Sequence, residues 1–205
     1  MLDTYSRRYI NPALEKTAEL LVGCGLTPNQ VTAGAMVCGV ATAPLIAAGQ
    51  PWGAVALLWL SGLLDAVDGQ MARQLKRPTA WGTFLDITFD RVVEGAVLIG
   101  LGIRSPAGAL PLLVLAVSFI LSLTVFLTTG ILVKDQPTQK SFYYQAGIME
   151  RTEGFLAFTA LILFPAYGAA IAYVAAGLVG VTICQRVFEA RRFLSLTSIR
   201  DSGGS

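Results

Sequence analysis

Four aspartates in two closely spaced pairs are the residues of this sequence best suited to chemistry. Asp65 and Asp68 lie three residues apart, and Asp86 and Asp90 lie four residues apart. In a helix, either spacing places both side chains on one face. The surrounding sequence is apolar enough for a membrane, where carboxylates are costly and are usually functional. Because four carboxylates would repel one another, the pattern predicts cations between them.

The chemistry of such a cluster is that of hard metal ions. Mg²⁺ and Mn²⁺ prefer oxygen ligands and act together with substrate phosphates. Two ions about 4 Å apart form the usual clamp for displacement at phosphorus. We expect Asp65, Asp68 and Asp86 to hold such a pair between two antiparallel helix ends. Asp90 either ligates the second ion or serves as general base. The alternative, structural ion pairing with nearby Arg and Lys residues, does not require this spacing.

The elements that position these acids are expected to be transmembrane helices. The chain is 54% hydrophobic and only 14% charged, with a mean hydropathy of +0.63, whereas a soluble domain is about a quarter charged. The absence of histidine excludes zinc–histidine and Ser-His-Asp sites. The three cysteines are predicted to be free thiols. We see no cleaved signal peptide and expect no nucleic-acid partner.

We predict an all-α integral membrane protein, with an N-terminal amphipathic surface helix followed by six transmembrane helices in one domain over 1–205. The surface helix covers 3–22, the six-helix bundle 27–190 and a disordered tail 201–205. The predicted spans are 27–48, 52–75, 80–103, 107–133, 148–163 and 167–188.

The distribution of charge predicts the orientation. Six spans place both termini on one side, and of the 15 Lys and Arg residues only Arg104 falls on the other side. The positive-inside rule makes the basic side cytoplasmic. The acid pairs, at the end of the second span and the start of the third, lie toward that side. We therefore expect a protein of the cytoplasmic membrane with its active site and both termini facing the cytoplasm.

Small and polar residues around the acids predict a site for a nucleoside diphosphate. Gly69 and Ala72 lie one turn apart beside the first acid pair and leave room for a flat group. Gly82 does the same on the next helix and favours close helix packing. Arg73 and Thr79 are placed to donate hydrogen bonds to phosphate oxygens.

These positions form the pattern D-x-x-D-G-x-x-A-R, eight residues, G-x-x-x-D-x-x-x-D. The pattern resembles the signature of the CDP-alcohol phosphatidyltransferases, with all eight fixed positions present. Thr27-Pro28-Asn29 with Thr32 resembles a further element of that family, at the start of its first span. Six spans after an amphipathic helix is the usual architecture of the family.

The resemblance implies an enzyme that displaces CMP from a CDP-linked donor and joins the phosphoryl group to an alcohol. Asp65, Asp68 and Asp86 would bind two Mg²⁺ or Mn²⁺ ions, and Asp90 would contribute to the second ion and accept a proton. The resemblance also implies a homodimer formed through spans three and four. The CDP-binding residues would be Pro28, Asn29, Thr32, Asp65, Gly69, Ala72, Arg73, Thr79 and Gly82.

Two branches of the family differ in their substrates. A compact six-span chain resembles the branch that uses CDP-diacylglycerol and a small polar alcohol. The other branch uses CDP-choline or CDP-ethanolamine and diacylglycerol. Basic residues near the site favour glycerol 3-phosphate or inositol phosphate as acceptor, although the same residues could be topology signals. The acceptor-binding candidates are Glu94, Lys134, Lys140, Glu150, Arg151, Glu153 and Arg186.

The orientation of the fifth span determines which of its side chains could contact the acceptor. Glu150 and Glu153 are expected to face one side of this helix, toward the acceptor, with Arg151 pointing elsewhere. Glu94 is expected either to shape the acceptor pocket or to pair with Arg91 or another basic group. A cation transporter is the alternative from a different class, but transporters favour midplane sites and repeated halves, and neither is evident.

Overall fold

The computed structural model describes residues 2–75, 79–134 and 147–202, and this part of the chain is helical without any strand. Single turns of 3₁₀ helix at Pro106–Gly108 and Pro165–Tyr167 precede the sixth and eighth helices. The α-helices of the described residues are α1 (Leu2–Gly23), α2 (Pro28–Val40), α3 (Thr42–Ala47), α4 (Pro51–Gln74), α5 (Ala80–Arg104), α6 (Ala109–Lys134), α7 (Arg151–Leu163) and α8 (Gly168–Ser202).

Prolines and capping residues determine where the helices begin. Thr27 caps α2, Pro28 occupies its first turn, and the Thr27 amide donates to the Gln30 side chain at 2.9 Å, as in a capping box. The predicted first span is interrupted at Ala41, between α2 and α3. Pro44 explains the interruption because it lacks the N–H that would bond to the carbonyl four residues earlier.

Four segments of the described residues are long and apolar enough to cross a membrane: Pro28–Ala47, Pro51–Gln74, Pro106–Leu132 and Pro165–Arg192. α5 differs because it carries the second acid pair together with Arg91 and Glu94. α7 differs because it has 13 residues, fewer than the approximately 20 of a span. The protein is thus all-α with four candidate spans in its described part.

The helices form two packed groups joined by α7 and by a contact between α5 and α6. In the first group α2 packs against both α4 and α5, and α3 packs against α5; in the second, α6 packs against α8. α7 contacts α4 and α8. The main apolar core includes Ile46, Leu58, Val97, Leu161 and Ala175. This arrangement leaves a space between the two groups, in which the acids of α4 and α5 meet.

The N-terminal helix packs on the rest of the protein. Ala18 of α1 is fully buried with Val31, Val67 and Met71 from α2 and α4. The predicted location of this helix on the membrane surface stays a prediction. At the other end, α8 continues to Ser202, so the first two residues of the predicted 201–205 tail are helical, and 203–205 lie outside the described residues.

Candidate active site

Three of the four aspartates come together at the meeting of α4 and α5. Oxygen atoms of Asp65, Asp68 and Asp86 all lie within 4.8 Å of one another. Asp65 is 8% exposed and Asp68 is 5% exposed. Ser61, one turn before Asp65, donates a hydrogen bond to the carbonyl of Ala35 at 2.7 Å. This bond fixes α4 against α2 directly beside the acid cluster.

The acid cluster fits a divalent cation. Three carboxylates at these distances repel one another unless a positive charge lies among them. Asp68 Oδ2 is buried and finds no hydrogen-bond donor among the described residues, although buried polar atoms nearly always have a partner. An all-oxygen donor set is the one that Mg²⁺ and Mn²⁺ prefer.

Asp90 lies apart from this cluster and faces Arg151. The guanidinium of Arg151 forms an ion pair with Asp65 and, through Nη2, another with Asp90 Oδ1 at 3.1 Å. Its carbon Cζ also lies 5.9 Å from the ring centre of Phe155. The expectation that Arg151 would point away from the site is therefore wrong: it reaches from the start of α7 to acids on two other helices.

A cavity of about 340 Å³ extends from the acids into the space between the two helix groups. It receives residues from α2, α4, α5, α6, α7 and α8, and aromatic rings of α6 and α7 form much of its apolar wall. Its polar lining consists of Thr32, Ser61, Asp65, Asp86, Asp90, Arg91, Glu94, Ser122, Glu150, Arg151 and Arg186.

The guanidinium group of Arg186 enters this cavity from α8. Arg186 Nη1 donates to Ser122 Oγ at 3.0 Å, and its Cζ lies 5.2 Å from the ring centre of Phe126. Glu94 forms an ion pair with Arg91 at 2.6 Å, and both residues line the cavity. The expected pair of Glu94 with Arg91 is therefore present, and the expectation that Glu94 shapes the acceptor pocket stays a prediction.

The two glutamates of α7 have different positions. Glu150 lines the cavity and accepts a hydrogen bond from the Gly147 amide at 3.3 Å. Glu150 is also the N-cap of α7, and Glu153 accepts from the Glu150 amide at 3.2 Å as its partner in a capping box. Glu153 does not line the cavity. Lys134 is the last residue of α6, and its side chain and all of Lys140 lie outside the described residues.

Comparison with known proteins shows the family of this chain. A model of the CDP-alcohol phosphatidyltransferases matches residues 25–183. The chain belongs to this family. It is therefore a membrane transferase of phospholipid synthesis. The family match covers the whole of α2–α7 as well as the acid cluster.

Individual relatives match this chain over different shares of its length. Inner membrane protein YnjF of Escherichia coli (strain K12) is 33% identical over 207 residues, which cover 98% of this chain and 99% of that protein. A phosphatidylinositol phosphate synthase of Streptomyces avermitilis is 36% identical over 111 residues. That match spans only 53% of this chain and 45% of the synthase.

A solved structure has the same fold. The crystal structure of Mycobacterium tuberculosis phosphatidylinositol phosphate synthase with CDP-DAG bound superposes with a TM-score of 0.71 at 24% identity, over 86% of this chain and 92% of that one. The same synthase has been crystallised in complex with manganese and citrate, and that structure gives a TM-score of 0.70 at 23% identity over 86% of this chain and 88% of that one.

In this transferase, the residues predicted to bind CDP lie at the starts of α2 and α5 and along α4. Thr79 Oγ1 accepts a hydrogen bond from the Gly82 amide at 3.0 Å. A Cβ atom added to Gly82 would lie 3.6 Å from Asn29 Oδ1, so the two helix starts meet there. Thr32 is buried beside the acids, and its hydroxyl donates to the Pro28 carbonyl at 3.0 Å.

Arg73 is held by residues that the sequence analysis did not single out. Its Nε and Nη2 both donate to Gln70 Oε1, at 3.1 and 2.7 Å. Gln70 in turn donates to Glu15 of α1 at 3.3 Å. This leaves Arg73 Nη1 beside Gly69, 3.5 Å from where a Cβ would stand. The spacing of three residues could have suggested Gln70, but no sequence pattern connects α1 to this position. Half-buried Ala72 lies on the same helix.

Proposed function

We propose that this enzyme transfers a phosphatidyl group from CDP-diacylglycerol to a hydroxyl of a small phosphorylated alcohol and releases CMP. Inositol phosphate and glycerol 3-phosphate are the favoured acceptors. The observation that carries the proposal is that Asp65 and Asp86 of the acid cluster line one cavity together with the guanidinium groups of Arg151 and Arg186. Guanidinium groups bind phosphate through paired hydrogen bonds. The names of the synthases from Streptomyces and Mycobacterium agree with a phosphorylated acceptor.

The metal site would be formed by Asp65, Asp68 and Asp86, with two Mg²⁺ or Mn²⁺ ions per site and Asp90 contributing to the second. Bound divalent ions supply Lewis-acid stabilisation of the charge that develops on the CDP diphosphate. The close carboxylates of the cluster and the manganese in the mycobacterial synthase support this proposal.

The donor would lie along α4, between the starts of α2 and α5. Arg73, oriented by Gln70, would donate to the diphosphate next to Gly69. Thr79 and Asn29 are close enough to Gly82 to bound the same site. The diacylglycerol part would extend between helices toward the lipid.

The acceptor would occupy the cavity, with its phosphate near Arg151 and Arg186. Arg151 already lies 3.1 Å from Asp90, so a phosphate held by Arg151 would bring an acceptor hydroxyl close to this carboxylate. Asp90 would take the hydroxyl proton while the oxygen forms a bond to the donor phosphorus and the bond to CMP breaks. Glu94 and Glu150 would accept hydrogen bonds from further hydroxyls of the acceptor.

We also propose that α5 and α7 complete a six-span bundle. α5 has 25 residues and would be about 37 Å long, enough for a bilayer. Four of its five charged residues, Asp86, Asp90, Arg91 and Glu94, line the cavity, so they need not face lipid; the fifth, Arg104, is its last residue. α7 would cross with the aid of residues 147–150 and of the turn at Pro165–Tyr167.

The remaining proposals concern the surroundings of the protein. Both termini and the site would face the cytoplasm, as the charge distribution favours, and α1 would rest on the membrane surface. The name of the Escherichia coli relative agrees with an inner-membrane location. A homodimer through α5 and α6 rests on the family resemblance.

A CMP-release assay tests this function. Purified protein in liposomes is incubated with CDP-diacylglycerol, Mg²⁺ or Mn²⁺, and one of inositol phosphate, glycerol 3-phosphate, inositol, glycerol or serine. We expect metal-dependent CMP release with a phosphorylated acceptor and little with its unphosphorylated counterpart. In Arg186→Gln, the KM for the phosphorylated acceptor should rise at least about tenfold. The absence of CMP release with every acceptor would refute the proposal.

The alternatives give different results in the same experiment. CMP release from CDP-choline with diacylglycerol, and none from CDP-diacylglycerol, would place the protein in the other branch of the family. A cation transporter would release no CMP from any donor.

A further inference from the structure

A buried hydroxyl on α8 is bonded to the segment that leads into α7. Thr182 is 0% exposed. Its Oγ1 accepts a hydrogen bond from the Met149 amide at 2.9 Å and donates one to the Leu178 carbonyl, one turn earlier on α8, at 3.0 Å. The first of these bonds joins two elements that are 33 residues apart in sequence.

The same threonine is in close contact with Gly147. A Cβ atom added to Gly147 would lie 3.3 Å from both Cβ and Oγ1 of Thr182, closer than ordinary van der Waals contact. Gly147 is itself buried. The backbone before α7 therefore touches Thr182 at Gly147 and again at Met149, so two points fix its position on α8.

The contact matters because a residue that lines the cavity lies close to it on each of the two helices, α7 and α8. Arg151 follows Met149 by two residues. Arg186 follows Thr182 by four residues, which is about one turn of α8. Both guanidinium groups line the cavity. The bond from Thr182 to Met149 thus sets the start of α7 relative to α8, and with it the separation of the two guanidinium groups.

We propose that Thr182 is a positioning residue for the transfer reaction. By fixing the start of α7, it holds Arg151 beside Asp90 and at the distance from Arg186 that a phosphorylated acceptor requires. This inference rests on the proposed function, because it assigns Thr182 to acceptor binding rather than to donor binding.

Comparison of Thr182 with a second buried threonine separates the positioning role from that of a hydroxyl bonded only within its own helix. Thr129 of α6 is also buried, at 7% exposed, and its hydroxyl donates to the Val125 carbonyl at 2.7 Å. That bond stays within a single helix, as is common for threonine. Thr182→Val and Thr129→Val therefore delete similar hydroxyls, but only the first removes a bond to the start of α7. Thr182→Ser keeps the hydroxyl.

The kinetic experiment measures KM for inositol phosphate, KM for CDP-diacylglycerol and kcat in each variant. For Thr182→Val we expect the KM for inositol phosphate to rise about three- to tenfold, which is the effect of one lost hydrogen bond. The KM for CDP-diacylglycerol should change less than about twofold. Thr182→Ser and Thr129→Val should resemble the unaltered enzyme. Equal increases of both KM values in Thr182→Val, or no increase, would overturn the proposal.

A second measurement does not depend on activity. Amide hydrogen exchange of the peptide containing 147–151 should be faster in Thr182→Val, because the Met149 amide loses its acceptor. It should be unchanged in Thr182→Ser and Thr129→Val. Unchanged exchange in Thr182→Val would refute the positioning role. Faster exchange in a protein that releases no CMP from CDP-diacylglycerol with any acceptor would refute the proposed function instead.

Discussion

Asp90 differs from the other three motif aspartates in what surrounds it. Oxygen atoms of Asp65, Asp68 and Asp86 lie within 4.8 Å of one another, and Asp90 does not belong to that group. Arg151 pairs with Asp90 at 3.1 Å and also with Asp65. A metal-binding carboxylate must lie close to other ligands, but a general base must lie close to the group whose proton it accepts. The proposed roles follow this arrangement: the three clustered acids would hold the metal ions, and Asp90 would accept the proton in addition to contributing to the second ion.

The first prediction is that Asp90→Asn abolishes turnover while donor binding persists. An amide cannot accept the proton as a carboxylate does, and loss of a general base lowers rates by roughly 100- to 10,000-fold. CMP release measures turnover, and equilibrium binding of CDP-diacylglycerol in the presence of Mg²⁺ measures the donor site. Asp86→Asn is the control and should weaken both, because Asp86 belongs to the cluster. Normal turnover in Asp90→Asn would remove it from the mechanism.

At this scale the sequence was informative about the acids and misleading about Arg151. The spacings of the aspartates could be interpreted because residues three or four apart share a helix face. The direction of Arg151 could not be derived in this way. A helical pattern orients side chains about their own axis, but the position of α7 relative to α4 and α5 depends on tertiary packing, including the bond from Thr182 to Met149.

Among the elements, α1 has a part in the site that its sequence does not suggest. Its buried Ala18 packs against α2 and α4, and Glu15 accepts a hydrogen bond from Gln70, which holds Arg73. A helix predicted only to lie on the membrane thus supports a residue expected to contact the donor diphosphate.

The prediction at this scale is that Gln70→Met raises the KM for CDP-diacylglycerol about three- to tenfold, because Arg73 loses the acceptor of two hydrogen bonds. Gln74→Met is the matched control. The Gln74 side chain donates a hydrogen bond to the backbone carbonyl of Glu15 at 3.3 Å, whereas the acceptor of the Arg73 side chain is Gln70. The KM for CDP-diacylglycerol is measured for both variants by steady-state kinetics at saturating acceptor. Equal effects of the two substitutions would mean that α1 packing, rather than Arg73, is responsible.

Helix boundaries were predictable where local chemistry sets them. Thr27 with Pro28 opens α2 and Thr79 caps α5, and both residue types are typical of helix starts. The interruption before α3 was not predicted, although Pro44 is visible in the sequence, because prolines in membrane helices are often tolerated.

For the whole molecule, α5 bears on the difference between the four candidate spans of the described residues and the six that the sequence predicts. Asp86, Asp90, Arg91 and Glu94 make α5 too polar to resemble a span, yet all four line the internal cavity. A helix that contributes to an active site inside a bundle can carry charges without exposing them to lipid. Hydropathy cannot detect this, because it counts charges without regard to the direction in which they point.

The orientation of the bundle leads to the last prediction. Cys24, exposed between α1 and α2, should face the cytoplasm, and Ser105, exposed after α5, should face the opposite side. Two single-cysteine variants are compared in intact bacterial cells. The first retains Cys24 and has its other two native cysteines replaced by serine. The second carries Ser105→Cys and has all three native cysteines replaced by serine. A membrane-impermeant maleimide should label only the Ser105→Cys variant. Permeabilised cells, in which both variants should react, provide the control for thiol reactivity. Labelling of Cys24 in intact cells would reverse the orientation and place the acid cluster on the side opposite to cytoplasmic substrates.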